Sequence, residues 1–89
     1  MDYEWDSTKA KANLRKHRIS FADASLALED PRALTIADPD ASGEQRFISM
    51  GSDPLGRVLV SVFSPRGRRT RIISSRKASR AERRAYEGQ

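Results

Sequence analysis

Side chains that can transfer protons are scarce in this sequence, whereas side chains that can hold an anion are abundant. His17 is the only histidine and cysteine is absent, so no ligand set for catalytic zinc can be proposed. An imidazole with an ordinary pKa of ~6.5 suits proton transfer, and Glu44 is a second candidate for a general base. Basic side chains on or beside predicted strands can bind phosphate oxygens and offset negative charge in a transition state. They are Arg46, Arg57, Arg76 and Lys77.

Each of these candidates also has a structural interpretation. His17 falls at the end of a predicted helix, where a histidine can cap the last carbonyl groups. Glu44 and Arg46 can neutralise each other as an ion pair. The arginines can form a solvated charged face or contact an acidic protein. The sequence alone leaves both interpretations open.

The distribution of charge favours an anionic partner. The chain carries 17 Lys or Arg against 12 Asp or Glu, a formal net charge of +5. Residues 66–84 hold nine of the basic residues and one acid, whereas residues 22–46 hold six acids and two arginines. This segregation is typical of a surface that binds nucleic acid, the ribosome or an acidic protein.

The local signals predict a single α+β domain over residues 1–89. Asp6 is a helix N-cap before Lys9–Arg18, and Ser20 with Asp23 forms a capping box for a helix over Phe21–Leu28. Four β segments follow, and a last helix with Ser79 and Glu82 at capping-box spacing ends the series. The predicted strands are Leu34–Ala37, Glu44–Met50, Arg57–Ser64 and Thr70–Ser75, and the last helix is Ser79–Tyr86. We therefore expect N-terminal helices, a four-stranded antiparallel sheet and a C-terminal helix.

Membrane insertion and secretion are not expected. The longest strongly apolar stretch, Val58–Phe63, is too short to cross a bilayer. A small secreted domain usually carries disulfides, and no signal-like stretch opens the chain. These features predict a cytoplasmic protein.

An ordered set of residues from 3 to 86 resembles the BrnT toxin family. The N-terminal part of the set is Tyr3-Glu4-Trp5-Asp6, Lys9, Asn13, Lys16-His17 and Ser20-Phe21. The middle part is Glu44, Arg46, Gly51, Gly56-Arg57 and Leu59. The C-terminal part is Arg71 to Ser74, Arg76, Ala78, Glu82-Arg83 and Tyr86. One departure is Arg18, where the family usually has a glycine that would end the helix, so we expect a different helix end here.

The resemblance implies a RelE-like fold and RNA cleavage without a metal or other cofactor. In such a reaction the 2′-hydroxyl attacks the adjacent phosphorus, which requires a base, an acid and cations around the phosphorane. The resemblance also implies a BrnA-like ribbon-helix-helix antitoxin in a two-plus-two complex. Operator DNA would then be bound only through the antitoxin, and the ribosome is a further possible partner.

Other basic residues are predicted to contact RNA outside the reacting centre. They are Lys9, Lys16, Arg66, Arg68, Arg69 and Arg71. Tyr3, Trp5 and Tyr86 can stack on bases, although packing against the core is the simpler interpretation. The alternative function is a basic RNA- or DNA-binding module without catalysis, which the net charge fits equally well.

Overall fold

Three helices and five strands follow one another along the chain, and the computed structural model describes all 89 residues. The helices are α1 (Ser7–His17), α2 (Phe21–Leu28) and α3 (Arg80–Glu87). The strands are β1 (Asp2–Glu4), β2 (Leu34–Ala37), β3 (Phe47–Ser52), β4 (Val58–Arg66) and β5 (Arg69–Lys77). The α+β class predicted from the sequence is confirmed.

The sheet is five-stranded and mixed, so the expectation of a four-stranded antiparallel sheet was wrong. Its order is β1-β5-β4-β3-β2, and β1 pairs parallel to β5 while all other pairs are antiparallel. The additional strand has three residues and no periodicity of its own. It is a strand only because the edge of β5 supplies its hydrogen-bond partners.

Strand ends also differ from the prediction in ways that matter for the site. β3 begins at Phe47, so Glu44 and Arg46 precede the strand instead of sharing one of its faces. β4 begins just after Arg57, and β5 extends through Arg76 and Lys77. These last two residues therefore lie within a strand and not in an irregular junction.

Side-chain caps fix the starts of the helices, as their sequence signals predict. Asp6 accepts hydrogen bonds from the backbone of Thr8 and Lys9. Ser20 accepts from the backbone of Asp23, but the reciprocal bond from the Asp23 side chain is not formed, so the predicted capping box is only half present. Ser79 and Glu82 form a complete capping box at α3, which satisfies two backbone donors that a helix start would otherwise leave free.

Helices α1 and α2 cover one side of the sheet and form the core with it. Ile19 packs with Leu59 in one buried cluster, and Phe21 and Ala24 pack with Ile72 in a second. α2 approaches β3 closely at Gly51, where an added Cβ would lie 2.4 Å from the carbonyl oxygen of Ala27. Glycine at this position therefore sets the spacing between helix and sheet.

The end of α1 contradicts the expectation drawn from Arg18. Arg18 has φ 62° and ψ 26°, the left-handed conformation that a glycine would adopt, and its N–H donates to the carbonyl of Leu14. The helix thus ends as a glycine-capped helix does, with a side chain carrying the steric cost. None of the helices has the length and apolar character needed to cross a membrane.

Candidate functional site

The predicted site residues separate to two ends of the sheet. The first, here called the His17 end, holds His17, Arg57, Arg76 and Lys77. The second, here called the hairpin end, holds Glu44, Arg46, Arg66, Arg68, Arg69 and Arg71. β3 spans Phe47–Ser52 between them, and a strand rises ~3.4 Å per residue. Glu44 and Arg46 therefore lie too far from the other four catalytic candidates to act on the same phosphate group.

Asn13 of α1 brings the helix into register with β5. Its side-chain amide donates to the backbone carbonyl of Ser75 at 2.8 Å and accepts from the Ser75 N–H at 3.1 Å. It also donates to the carbonyl of Ile19 at 3.0 Å. Because β1 pairs only with Arg69–Arg71, the rest of this edge of β5 lacks a neighbouring strand. The Asn13 amide supplies there the hydrogen bonds that a strand residue would give.

This contact places His17 beside the end of β5. Asp6 lies close enough to Arg71 for the two charges to interact, and Asn13 contacts Ser75, so α1 advances in the same direction as β5. His17 lies one helical turn beyond Asn13 on the same helix face. Lys77 lies two residues beyond Ser75 on the same side of the strand. The structure therefore brings His17 and Lys77 to one corner of the molecule.

His17 is half-buried and Lys77 is exposed, and neither is in an ion pair with another side chain. His17 forms no hydrogen bond to the last carbonyl groups of α1; the backbone N–H of Arg18 donates to one of them instead. Capping by His17 is therefore not seen. The α1 residues Lys9 and Lys16 are also exposed, and α1 contains no acidic residue.

Arg57 is held inside an acidic pair. Its guanidinium donates to Asp53 at 2.6 and 2.8 Å and to Asp23 at 2.8 Å. The Asp53 side chain is fully buried. Burial alone would raise the pKa of Asp53, but hydrogen bonds from the side chain and backbone of Arg57 lower it overall. Arg57 therefore joins the β3–β4 turn to α2, and its charge is compensated within the chain.

Arg76 forms a two-pronged ion pair with Glu82. The two N···O distances are 2.8 and 3.0 Å, and the backbone N–H of Ser79 donates to the same carboxylate at 2.8 Å. Hydrogen bonds from Arg76, and then from Ser79, lower the pKa of Glu82 to about 2. Glu82 is therefore a poor proton acceptor at neutral pH, and Arg76 presents a positioned guanidinium at the surface.

Ion pairs also occupy part of the hairpin end. Arg46 donates to Glu44 at 2.9 Å, which is the mutual neutralisation that the sequence left open. Arg69 and Arg71 lie 4.0 and 3.8 Å from Glu4. Arg66 and Arg68 have no acidic partner and stand at the exposed tip of the β4–β5 hairpin.

The aromatic candidates mainly pack. Trp5 meets Phe21 edge to face at 6.0 Å between ring centres. Tyr86 is buried and its hydroxyl donates to Asp30, while Arg32 lies over its ring. Burial, together with the nearby Glu29, raises the pKa of Tyr3 to about 12.

Sequence reasoning missed the positioning contact of Asn13 and the partners of Arg57. Asn13 lies three residues after Ala10 and four before His17, so the three residues share one helix face. This spacing could have indicated that the Asn13 side chain contacts the rest of the fold. The sequence did not predict that Asp23 and Asp53 bind Arg57. Asp23 is distant from Arg57 in the sequence, and Asp53 lies in a segment typical of a turn. No three His, Asp or Glu side chains cluster as metal ligands would.

The fold and the two basic ends define a small basic α+β protein, and comparisons with known proteins identify its family. Residues 5–82 match the family model described as "Ribonuclease toxin, BrnT, of type II toxin-antitoxin system". The match spans most of the chain, and the chain belongs to the BrnT family. No curated protein matches it.

A solved structure agrees with this assignment. The chain is similar to the crystal structure of the Brucella abortus ribonuclease toxin BrnT, with a TM-score of 0.67 and 26% sequence identity. The similarity covers 90% of this chain and 99% of the Brucella protein. The sequence predicted a RelE-like fold with a four-stranded sheet, whereas the structure has this BrnT fold with a five-stranded mixed sheet.

Proposed function

We propose that this chain is an endoribonuclease toxin that cleaves mRNA without a metal ion at the His17 end and thereby inhibits translation. The observation that carries the proposal is the Asn13–Ser75 contact, which sets the end of α1 with His17 beside the end of β5 with Lys77. His17 and Lys77 are both accessible and neither is neutralised by an acidic side chain. The family supplies the reaction class, a ribonuclease toxin.

In the proposed reaction His17 removes the proton of the 2′-hydroxyl, and the 2′-oxygen attacks the adjacent phosphorus. The bond to the 5′-oxygen breaks, which leaves a 2′,3′-cyclic phosphate and a 5′-hydroxyl. The ammonium of Lys77 offsets charge on the phosphorane and can protonate the departing oxygen. Arg76 projects from β5 on the side opposite Lys77, so it binds a neighbouring phosphate of the RNA, in competition with its bond to Glu82.

The remaining basic residues bind the RNA on either side of this corner in the proposal. Lys9 and Lys16 lie on α1, and Arg66 and Arg68 stand at the hairpin tip. Glu44 and Arg46 leave the catalytic set, because they lie at the hairpin end and bind each other. Arg57 acts through its contacts with Asp23 and Asp53 and positions the His17 end.

The proposal includes an antitoxin partner, which membership of a type II system implies. A BrnA-like ribbon-helix-helix antitoxin, joined two to two, would neutralise the toxin in the cytoplasm and carry the contact with operator DNA. The ribosome is a further partner to test, since cleavage on translating mRNA would use the same basic surface.

The test compares cleavage of a labelled RNA by the wild type and by His17→Gln and Lys77→Ala variants. We expect each variant to cleave the RNA about 10²–10³-fold more slowly than the wild type. The thermal midpoint of each variant should change little. Lys11→Ala is the matched control, because Lys11 is an exposed cation of α1 outside the proposed site. RNA binding without any cleavage by the pure wild type would favour the non-catalytic RNA- or DNA-binding module.

A further inference from the structure

The side of the sheet opposite α1 and α2 carries an apolar groove. It is about 260 Å³ in volume. Its floor, here called the open face, consists of Leu34, Ile36, Ile48, Met50 and Val60. Ile36 is 62% exposed and Leu34 is 37% exposed. Apolar surface of this kind on a sheet normally packs against a second layer.

Only one end of the open face is covered, and α3 covers it. The first turn of α3 is tied to β5 through Glu82 and Arg76. Its last turn is tied to the loop between α2 and β2 by the hydroxyl of Tyr86, which donates to Asp30. Glu82 thus forms the wall of the groove. All four residues of β2 remain exposed, and the outer edge of β2 pairs with no strand.

The charges around the groove define what can occupy it. Arg83, next to Glu82 on α3, is exposed and forms no ion pair, whereas Arg80 and Arg84 lie on the far side of the helix. Arg76 adds a guanidinium, paired with Glu82, on the same side of the sheet as the groove. The acids Asp38 and Asp40 lie beyond the opposite end of β2. An occupant that complements both features carries apolar side chains on the floor and carboxylates toward α3.

A second copy of this chain fits these requirements poorly. Each copy has a formal net charge of +5, so two copies repel each other before their open faces can meet. RNA would satisfy the arginines but leave Leu34 and Ile36 exposed to its phosphates. An apolar and acidic protein segment satisfies both.

We propose that the open face is the docking surface for the antitoxin, which inserts a segment with apolar side chains on one side and Asp or Glu residues facing α3. The inference rests on the proposed function, because the antitoxin follows from the toxin assignment. Such a segment would lie beside Arg76 and thereby prevent this guanidinium from binding RNA.

The experiment uses the full chain and, as probe, the separately purified protein encoded by the reading frame adjacent to its gene. Affinity is measured for the wild type, for Ile36→Lys and for Leu55→Lys. Leu55 is 74% exposed in the β3–β4 turn, outside the groove, and serves as the matched control. We expect Ile36→Lys to weaken binding at least about 30-fold, as loss of an interface hot spot does, and Leu55→Lys to leave it unchanged.

Three outcomes would overturn the inference. The first is equal affinity for both lysine variants. The second is absence of binding to the wild type. The third is a dimer of the free chain, seen by light scattering, that Ile36→Lys dissociates while the probe still binds. Cleavage of RNA by free Ile36→Lys is measured in parallel and should match the wild type. Loss of cleavage in all forms, with the binding pattern as expected, would refute the ribonuclease proposal and not the docking surface.

Discussion

Replacing Asn13 by alanine should destabilise the protein far more than its position on a helix would indicate. The Asn13 side chain makes three hydrogen bonds with backbone groups of Ile19 and Ser75, and it is buried. Truncation leaves two carbonyl oxygens and one N–H without partners. These groups belong to different elements, so no rearrangement within α1 can satisfy them.

The magnitude follows from the number of groups left unsatisfied. Each buried polar group without a partner costs about 1–3 kcal/mol. Water that enters the vacated space recovers part of this, so we expect a loss of about 3 kcal/mol in the free energy of unfolding. Because a domain of this size has ~5–15 kcal/mol in total, the thermal midpoint should fall by at least ~12 °C.

Urea unfolding followed by circular dichroism measures this loss in the chain freed of its antitoxin. Asn13→Asp keeps an acceptor for the Ser75 N–H but cannot donate to the two carbonyls, so it should be destabilised at least as much. Ser25→Ala is the control, since it removes one local hydrogen bond to Ala22 within α2 and should change stability by less than ~0.5 kcal/mol. A loss below ~1 kcal/mol for Asn13→Ala would refute the strand-substitute role.

Three further predictions concern the helix end, pH and metal. Arg18→Gly should raise the free energy of unfolding by about 1 kcal/mol. It removes the steric cost of the left-handed conformation, and this gain exceeds the stabilisation of the unfolded chain by the greater freedom of glycine. A lower thermal midpoint would contradict this. The pKa of Glu82 is lowered from 4.5 to about 2, so its ion pair with Arg76 contributes stability above pH 4.5 that disappears as the pH falls toward 2. The stability difference between wild type and Glu82→Gln should therefore shrink over that range, and a constant difference would argue against the pair. Cleavage of RNA should survive excess EDTA, whereas loss that Mg²⁺ restores would show that the reaction depends on a metal ion.

Local signals were sufficient to predict most of the fold. Asp6, Ser20 and Ser79 each precede a helix and cap it, because capping depends on residues only two or three positions apart. The alternating pattern of β4 likewise needs only the strand itself. In contrast, β1 is three residues long and depends on an edge provided by β5, far along the chain. A strand of that kind has no local signature.

Less of the candidate site could be predicted, because a basic side chain in a sequence carries no sign of whether its charge is free. Arg57, Arg76 and Lys77 are all basic residues on or just after predicted strands. Arg57 is enclosed by Asp23 and Asp53, and Arg76 binds Glu82, whereas Lys77 has no acidic partner. Two of these ion pairs join residues from different elements, so only the folded chain distinguishes the three.

The difference in charge compensation between Arg76 and Lys77 has a consequence for inhibition of the toxin. Phosphate must compete with Glu82 for Arg76 but meets no competitor at Lys77, so RNA should engage the Lys77 corner first. Arg76 also borders the apolar groove through Glu82, which lines it. A segment seated in that groove would therefore alter the Arg76–Glu82 pair without touching His17. Inhibition by such a segment should weaken the contact of Arg76 with RNA before it affects proton transfer, because the groove and the imidazole lie on opposite sides of the sheet.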